Sequence, residues 1–219
     1  MFAMCSKDSS RNRAKRPSWI LGAPLLRFGL PLVALAFLSV PRLGIRAEQS
    51  LGQAPQVIDL VETKLDPLGA HPNQVQVFLF ASIECPICNS YAPEFRRLYT
   101  RFASSNVVFN MVYPNADESL DAIRKHLKDY EIPFGALRDP RHELVKVSHA
   151  RVTPEAAVFA PKSGLVYHGR IDNLYVDLGV RRPEATEHDL IDVLLSVLSG
   201  QEVKHPSQPA TGCSIVPRL

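Results

Sequence analysis

Cys85 and Cys88 are separated only by Pro86 and Ile87. They follow the apolar run VQVFLFA (75–81), which reads as a buried strand. They open a segment in which Tyr91, Phe95, Leu98, Tyr99 and Phe102 recur at helical spacing. A CxxC where a strand hands over to a helix sits among unpaired N–H groups at the positive end of the helix dipole. An anion is favoured there, so the thiolate of Cys85 is stabilised and its pKa falls. Cys88, one turn on, can attack a mixed disulfide formed on Cys85 and release the reduced partner. Glu84 opposes this, because a carboxylate beside the thiolate raises its pKa. Two other readings of the pair stay open. One is metal binding, although zinc needs two further ligands and no second Cys pair exists; the other is a pair of inert thiols.

Cys213 is the third thiol beyond residue 47. It is either an inert tail cysteine or a candidate resolving thiol for a disulfide or sulfenate on Cys85. Pro206, Pro209 and Gly212 make the tail read as irregular and able to move. Pro154 lies immediately before a strand. Pro93, five residues past Cys88, is expected to kink the helix. The histidines read plainly: His168 on a strand, His126 on a polar helix face, His142 and His149 flanking a short helix.

These residues need a scaffold. Residues 57–61 suggest an edge strand, followed by a Pro/Gly/Asn linker, and 107–113 a second core strand. A helix is expected over 118–130 with Asp117 or Asn115 as its cap, and a short one over 143–150. Strands 156–160 and 165–168 form a hairpin around the turn 161–164. A last helix starts near Thr186, whose spacing to Asp189 is a capping-box variant, and stops at Gly200. Strands alternating with helices, then a hairpin, predict an α/β fold with a parallel pair and an antiparallel edge.

The net charge of +3 hides an asymmetry. Residues 1–47 carry eight Lys/Arg against Asp8 alone, leaving 17 basic and 21 acidic residues in the remainder. The folded part therefore offers no basic footprint, and nucleic acid is set aside as a partner. The uncharged apolar run 28–40 is short for a spanning helix and follows a basic stretch, as in a secretory signal. Cleavage after Ala47 gives a free domain, and an uncleaved signal anchor gives a membrane tether through 28–40. Either places the domain outside the cytoplasm. The expected organisation is a signal peptide or anchor (1–47), an N-terminal strand and linker (48–74), a core domain (75–204) and an irregular tail with a cysteine (205–219).

Segments FASIECPICNSYAPE (80–94), VTPE (152–155), YHGRID (167–172) and TGCSI (211–215) together resemble secreted bacterial redoxin-domain proteins of the thioredoxin superfamily. These are grouped with the alkyl hydroperoxide reductase and thiol-specific antioxidant proteins. The resemblance implies a thioredoxin-like fold, with a central mixed sheet flanked by helices. It implies Cys85 as nucleophile and Cys88 as resolving thiol, and a cis-proline at Pro154 facing the CxxC. Glu84, Pro86, Ile87 and Thr153 would border the substrate groove. Thioredoxins usually carry Trp where Glu84 stands, so the partner surface differs. Many relatives of this type have Ser in place of Cys88, which points to Cys85 as the primary nucleophile. The implied activity is thiol–disulfide exchange with a partner protein dithiol or disulfide, with no cofactor and no metal. The alternative is a thiol peroxidase acting on a peroxide. Ser82 fits the peroxiredoxin pattern, but no Pro stands at its proline position and no catalytic Arg can be assigned. A copper-binding module using two cysteines and a distant His is the alternative from another class, although its cysteines are usually one residue further apart.

Overall fold

The computed structural model describes residues 54–216. The leader and its apolar run lie outside the described residues. Among the described residues no helix is long and apolar enough to cross a membrane. The first elements are β1 (Val57–Asp59), β2 (Lys64–Leu65), a one-turn helix α1 (Pro67–Ala70) and β3 (Val75–Phe80). Next come α2 (Pro86–Ser90), α3 (Ala92–Phe102), β4 (Val107–Tyr113), α4 (Leu120–Asp129), β5 (Gly135–Arg138) and α5 (Glu143–Ser148). The second half holds β6 (Val152–Thr153), β7 (Glu155–Ala160), β8 (Gly164–Gly169), β9 (Tyr175–Asp177), β10 (Val180–Arg181), α6 (Asp189–Leu198), β11 (Ser207–Gln208) and β12 (Cys213–Ser214).

β3 is buried along its whole length because both faces of the sheet are covered, which is why its sequence is a continuous apolar run. Val77 and Leu79 point to a core shared with Phe95 and Leu98 of α3, Ile123 of α4 and Leu190 and Leu194 of α6. Phe78 and Phe80 point to the opposite face, with Leu144 and Val145 of α5 and Ala157 and Phe159 of β7. The sheet has eight strands in the order β11-β8-β7-β3-β4-β5-β1-β2. β3, β4 and β5 are parallel, while β7 and β1 run antiparallel to their neighbours β3 and β5. The fold is the expected mixed sheet flanked by helices.

Several local expectations are corrected. The strand at Val57 is not at the edge: β1 lies between β5 and β2, and β2 takes the edge. The cap of α4 is Ser119, whose Oγ accepts the Ala122 N–H at 3.2 Å, rather than Asp117 or Asn115. Thr186 does not cap α6, which begins at Asp189. Its Oγ1 accepts from the Asn173 amide instead, and its N–H donates to the same side chain. The tail is irregular except for two short strands. β11 joins the sheet parallel to β8, and β12 pairs antiparallel with β6.

Candidate active site

The C-terminal ends of the parallel strands β3 and β4 build the site. After Phe80 the chain turns, Cys85 N–H donates to Ser82 O at 3.2 Å, and α2 starts with Cys85 as its N-cap and Pro86 next. Pro at the first helical position costs nothing, since its missing N–H would have no partner there. The helix does not run unbroken to Phe102. It stops at Ser90, Tyr91 caps α3, and Pro93 falls in the first turn of α3, so the expected kink becomes a break between two helices. Cys85 is 1% exposed and Cys88 2% exposed, and both are free thiols.

The third thiol joins them. In the antiparallel pair β6–β12, Cys213 stands opposite Thr153, and the Thr153–Pro154 peptide is cis. Thr153 O accepts a hydrogen bond from the Cys85 thiol at 3.0 Å. Gly212 makes this approach possible. A Cβ there would lie 2.2 Å from Thr153 O, so only glycine lets the tail close onto β6. Cys213 is half-buried and free. The structure thus brings Cys85, Cys88, Thr153 and Cys213 together, against the expectation of a loose tail.

The electrostatics divide the three thiols. Cys85 is lowered to about 4, chiefly by the hydrogen bond from the Cys88 thiol. Burial opposes the shift, and the Cys213 thiol, the Cys88 backbone N–H and Thr153 add to it. Ionisation forfeits the S–H bond to Thr153 O, and the donors outweigh that loss. Burial pushes Cys88 well above its usual value, and the neighbouring Cys85 sulfur pushes the same way. Burial raises Cys213 to about 11, again with Cys85 adding to the effect. Near neutral pH one thiolate therefore accepts hydrogen bonds from two thiols that keep their protons.

Glu84 is exposed and is not among the groups acting on Cys85, so its expected opposition is not seen. Pro86 is also exposed, whereas Ile87 packs into the core and does not border an open groove. The acid that matters locally is Glu118. It is 7% exposed, and its Oε1 accepts from Ser82 Oγ at 2.7 Å and from Ile83 N–H at 2.9 Å. Burial raises its pKa. Its position in the loop after a parallel strand, at the carboxyl end of the sheet, was the available signal. His126 does not face solvent: it is buried between Tyr113 Oη and the Asn89 side-chain oxygen, each at 2.8 Å, and Asn89 donates to Ile83 O. No histidine acts on the Cys85 sulfur. Among the described residues no group of three or more His, Cys, Asp and Glu is arranged to hold a metal ion.

Residues 60–168 match the model of the AhpC/TSA family. A hypothetical protein from Sinorhizobium meliloti 1021 superposes with a TM-score of 0.62 at 21% identity, over 75% of this chain and 91% of that one. A conserved protein of uncharacterised role from Geobacillus kaustophilus gives 0.63 at 22%, over 76% and 90%. A protein from Chlorobium tepidum, assigned as thiol:disulfide interchange protein DsbE, gives 0.51 at 15%, over 66% and 94%. No curated protein matches the chain.

Proposed function

The chain belongs to the thioredoxin superfamily as a redoxin of the AhpC/TSA type, and we propose that it is a thiol–disulfide oxidoreductase driven by Cys85 and Cys88. The observation that carries this is the placing of the pair: Cys85 is the N-cap of α2 with Cys88 one turn on, both buried and free, and Cys85 is lowered to about 4 while Cys88 is raised and holds its proton. The thiolate is the nucleophile in disulfide exchange. Cys85 attacks a disulfide sulfur, and Cys88 then breaks the mixed disulfide, leaving a Cys85–Cys88 bond and a reduced partner. Pro154 and Thr153 form the backbone wall against which the attack is made. The electrons come from, or go to, a partner dithiol or disulfide. We place the reaction outside the cytoplasm, with either a free or a tethered domain, on the strength of the basic stretch and the apolar run 28–40.

The test is turnover of a disulfide substrate coupled to a dithiol reductant. Cys85→Ser should abolish it, and Cys88→Ser should accumulate mixed disulfides. Turnover by Cys85→Ser at the parental rate would sink the assignment. A second reading, a thiol peroxidase with Cys85 peroxidatic, is favoured by one observation: a second resolving candidate, Cys213, stands opposite Thr153, whose carbonyl accepts from the Cys85 thiol. Rapid stoichiometric consumption of hydrogen peroxide by the reduced protein would move it to first place.

A further inference from the structure

The tail strand raises a question of access. Cys85 is 1% exposed, and the β6 backbone beside it, which an extended substrate would otherwise pair with, is already taken by β12. The strand that fills this edge carries a cysteine at the register position opposite Thr153, the residue whose carbonyl touches the Cys85 sulfur. Cys213, unlike Cys85, is half-exposed and lines a cavity of about 390 Å³ together with Ser82 and Thr153. That cavity shares His142, Ser214 and Ile215 with a larger one of about 810 Å³. Arg141, Lys146 and Arg151 line the larger cavity, His149 and His168 add to the wall, and no carboxylate does. Asp117 lines the smaller cavity, whereas the acids beside the larger one are occupied. Glu143 pairs with Arg141 and accepts from Gln56 N–H, and Glu155 accepts from the Arg151 and Val152 N–H groups. Among the described residues Lys146 and Arg151 have no ion-pair partner. Val145, Ala150 and Ile215 supply apolar surface. A space of this size, with cations and an apolar floor, fits an organic body bearing acid groups better than an inorganic anion.

We infer that Cys213 is a third catalytic thiol, presented to Cys85 on β12 as a built-in substrate strand, and that it relays disulfide exchange to small organic disulfides bearing acid groups. This rests on the thiol–disulfide reading of Cys85 and Cys88 and adds the route by which substrate reaches them. Cys213 attacks the external disulfide while the Cys85 thiolate, acting as general base, takes its proton in the same step. A Cys213–substrate disulfide forms and one substrate half leaves as thiolate. Cys85 loses that proton to the departing thiolate and attacks the Cys213 sulfur, expelling the second half. Cys88 then attacks Cys85. The Cys85–Cys88 disulfide forms, and Cys213 leaves and takes up the Cys88 proton. Two thiols are oxidised and one external disulfide is reduced to two thiols, so two electrons balance.

The experiment mixes reduced full-length protein with a dianionic aromatic disulfide, dithiobis(nitrobenzoate), or a neutral one, dithiodipyridine, and follows thiol release. Cys213→Ser should slow release by at least about tenfold with either substrate. Cys88→Ser should accumulate a Cys85–Cys213 disulfide in a peptide map. Formation of Cys85–Cys88 by Cys213→Ser at the wild-type rate would overturn the relay while leaving the dithiol reading intact. No Cys85–Cys88 bond in the wild type would overturn the dithiol reading instead, and the relay with it. For the substrate class, the ratio of anionic to neutral rates should fall about tenfold in Lys146→Glu/Arg151→Glu, and hold in Arg101→Glu on the far face. An unchanged ratio in the double variant, or an equal fall in Arg101→Glu, would overturn the assignment of an acidic substrate to this cavity.

Discussion

Replacing Cys213 by alanine should raise the pKa of Cys85, and the size of the change follows from what the tail strand contributes. A hydrogen bond to a charged group is worth roughly 1.5–3 kcal/mol, and a thiol is a weak donor, so the low end applies. One pKa unit corresponds to about 1.4 kcal/mol, which moves Cys85 from about 4 to roughly 5. Loss of the Cys213 side chain also admits water, which favours the thiolate and trims the shift without reversing it. Cys213→Ser separates these effects, because the hydroxyl keeps both the donor and the bulk. Its Cys85 should stay near the wild-type value, which also makes Cys213→Ser the clean variant for testing sulfur relay.

The assay is the ultraviolet absorbance of the thiolate against pH in the reduced protein. Cys88 is raised well above the ordinary thiol value and Cys213 to about 11. Between about pH 3 and pH 8 only the Cys85 thiolate contributes to the signal. A midpoint for Cys213→Ala within about 0.3 units of wild type would refute the claim that the tail thiol holds the thiolate. Equal shifts in Cys213→Ala and Cys213→Ser would refute the donor role in favour of solvent access.

Other perturbations follow from the same geometry. A folded Cys85 pKa near 4 against an ordinary value of 9.0 means the unfolded chain binds the proton more tightly. The stability of reduced protein relative to Cys85→Ser should therefore grow as pH rises from about 4 towards 8, by at most about 1.4 kcal/mol per pH unit, and be lost as pH falls through 4; a flat difference in urea midpoints would count against the shift. Glu118→Ala strands the Ser82 hydroxyl and the Ile83 N–H and should cost about 1–3 kcal/mol in urea unfolding, with Glu118→Gln costing less because it keeps an acceptor; equal losses would show that the bonds do not carry the effect. Gly212→Ala puts a methyl group 2.2 Å from Thr153 O, so β12 must lift and the Cys85 midpoint should rise as in Cys213→Ala; an unmoved midpoint would mean the tail relaxes in place. Gly169→Ala, where φ is +147° and a Cβ would meet Gln208 O at 2.0 Å, should destabilise by at least about 2 kcal/mol as β11 is displaced from β8, and a wild-type melting temperature would contradict this.

What the sequence revealed is what neighbouring residues decide among themselves. The run at β3, the thiol spacing and the hairpin turn at 161–164 all act within a few residues, and each lies where the pattern predicts. β5 was invisible because Gly135 to Arg138 has little β propensity of its own and is a strand only through its parallel pairing with β4. Thr186 has the spacing of a cap, yet Asn173, some 13 residues away, takes its groups first. His126 lies on a face that reads as polar until Tyr113 and Asn89 cover it.

The tail is the sharpest case, and it bears on function. Two-residue strands carry no periodic signal, so the stretch with Pro206, Pro209 and Gly212 reads as irregular chain although Ser207–Gln208 and Cys213–Ser214 pair with β8 and β6. The clue lay in Gly212 itself, placed directly before a cysteine. A glycine bordering a strand often marks a place where another backbone approaches closely. Once the tail is fixed, the place of the third thiol does not depend on flexibility. Its position opposite Thr153 follows from the β6–β12 register, and the same register closes the edge that an extended partner would use. The covered thiolate and the ordered tail cysteine are thus consequences of one pairing. A protein whose nucleophile is 1% exposed must either open that pairing or pass electrons through the strand that forms it. The second course leaves the pairing in place, because Cys213 already stands opposite Thr153, whose carbonyl accepts from the Cys85 thiol.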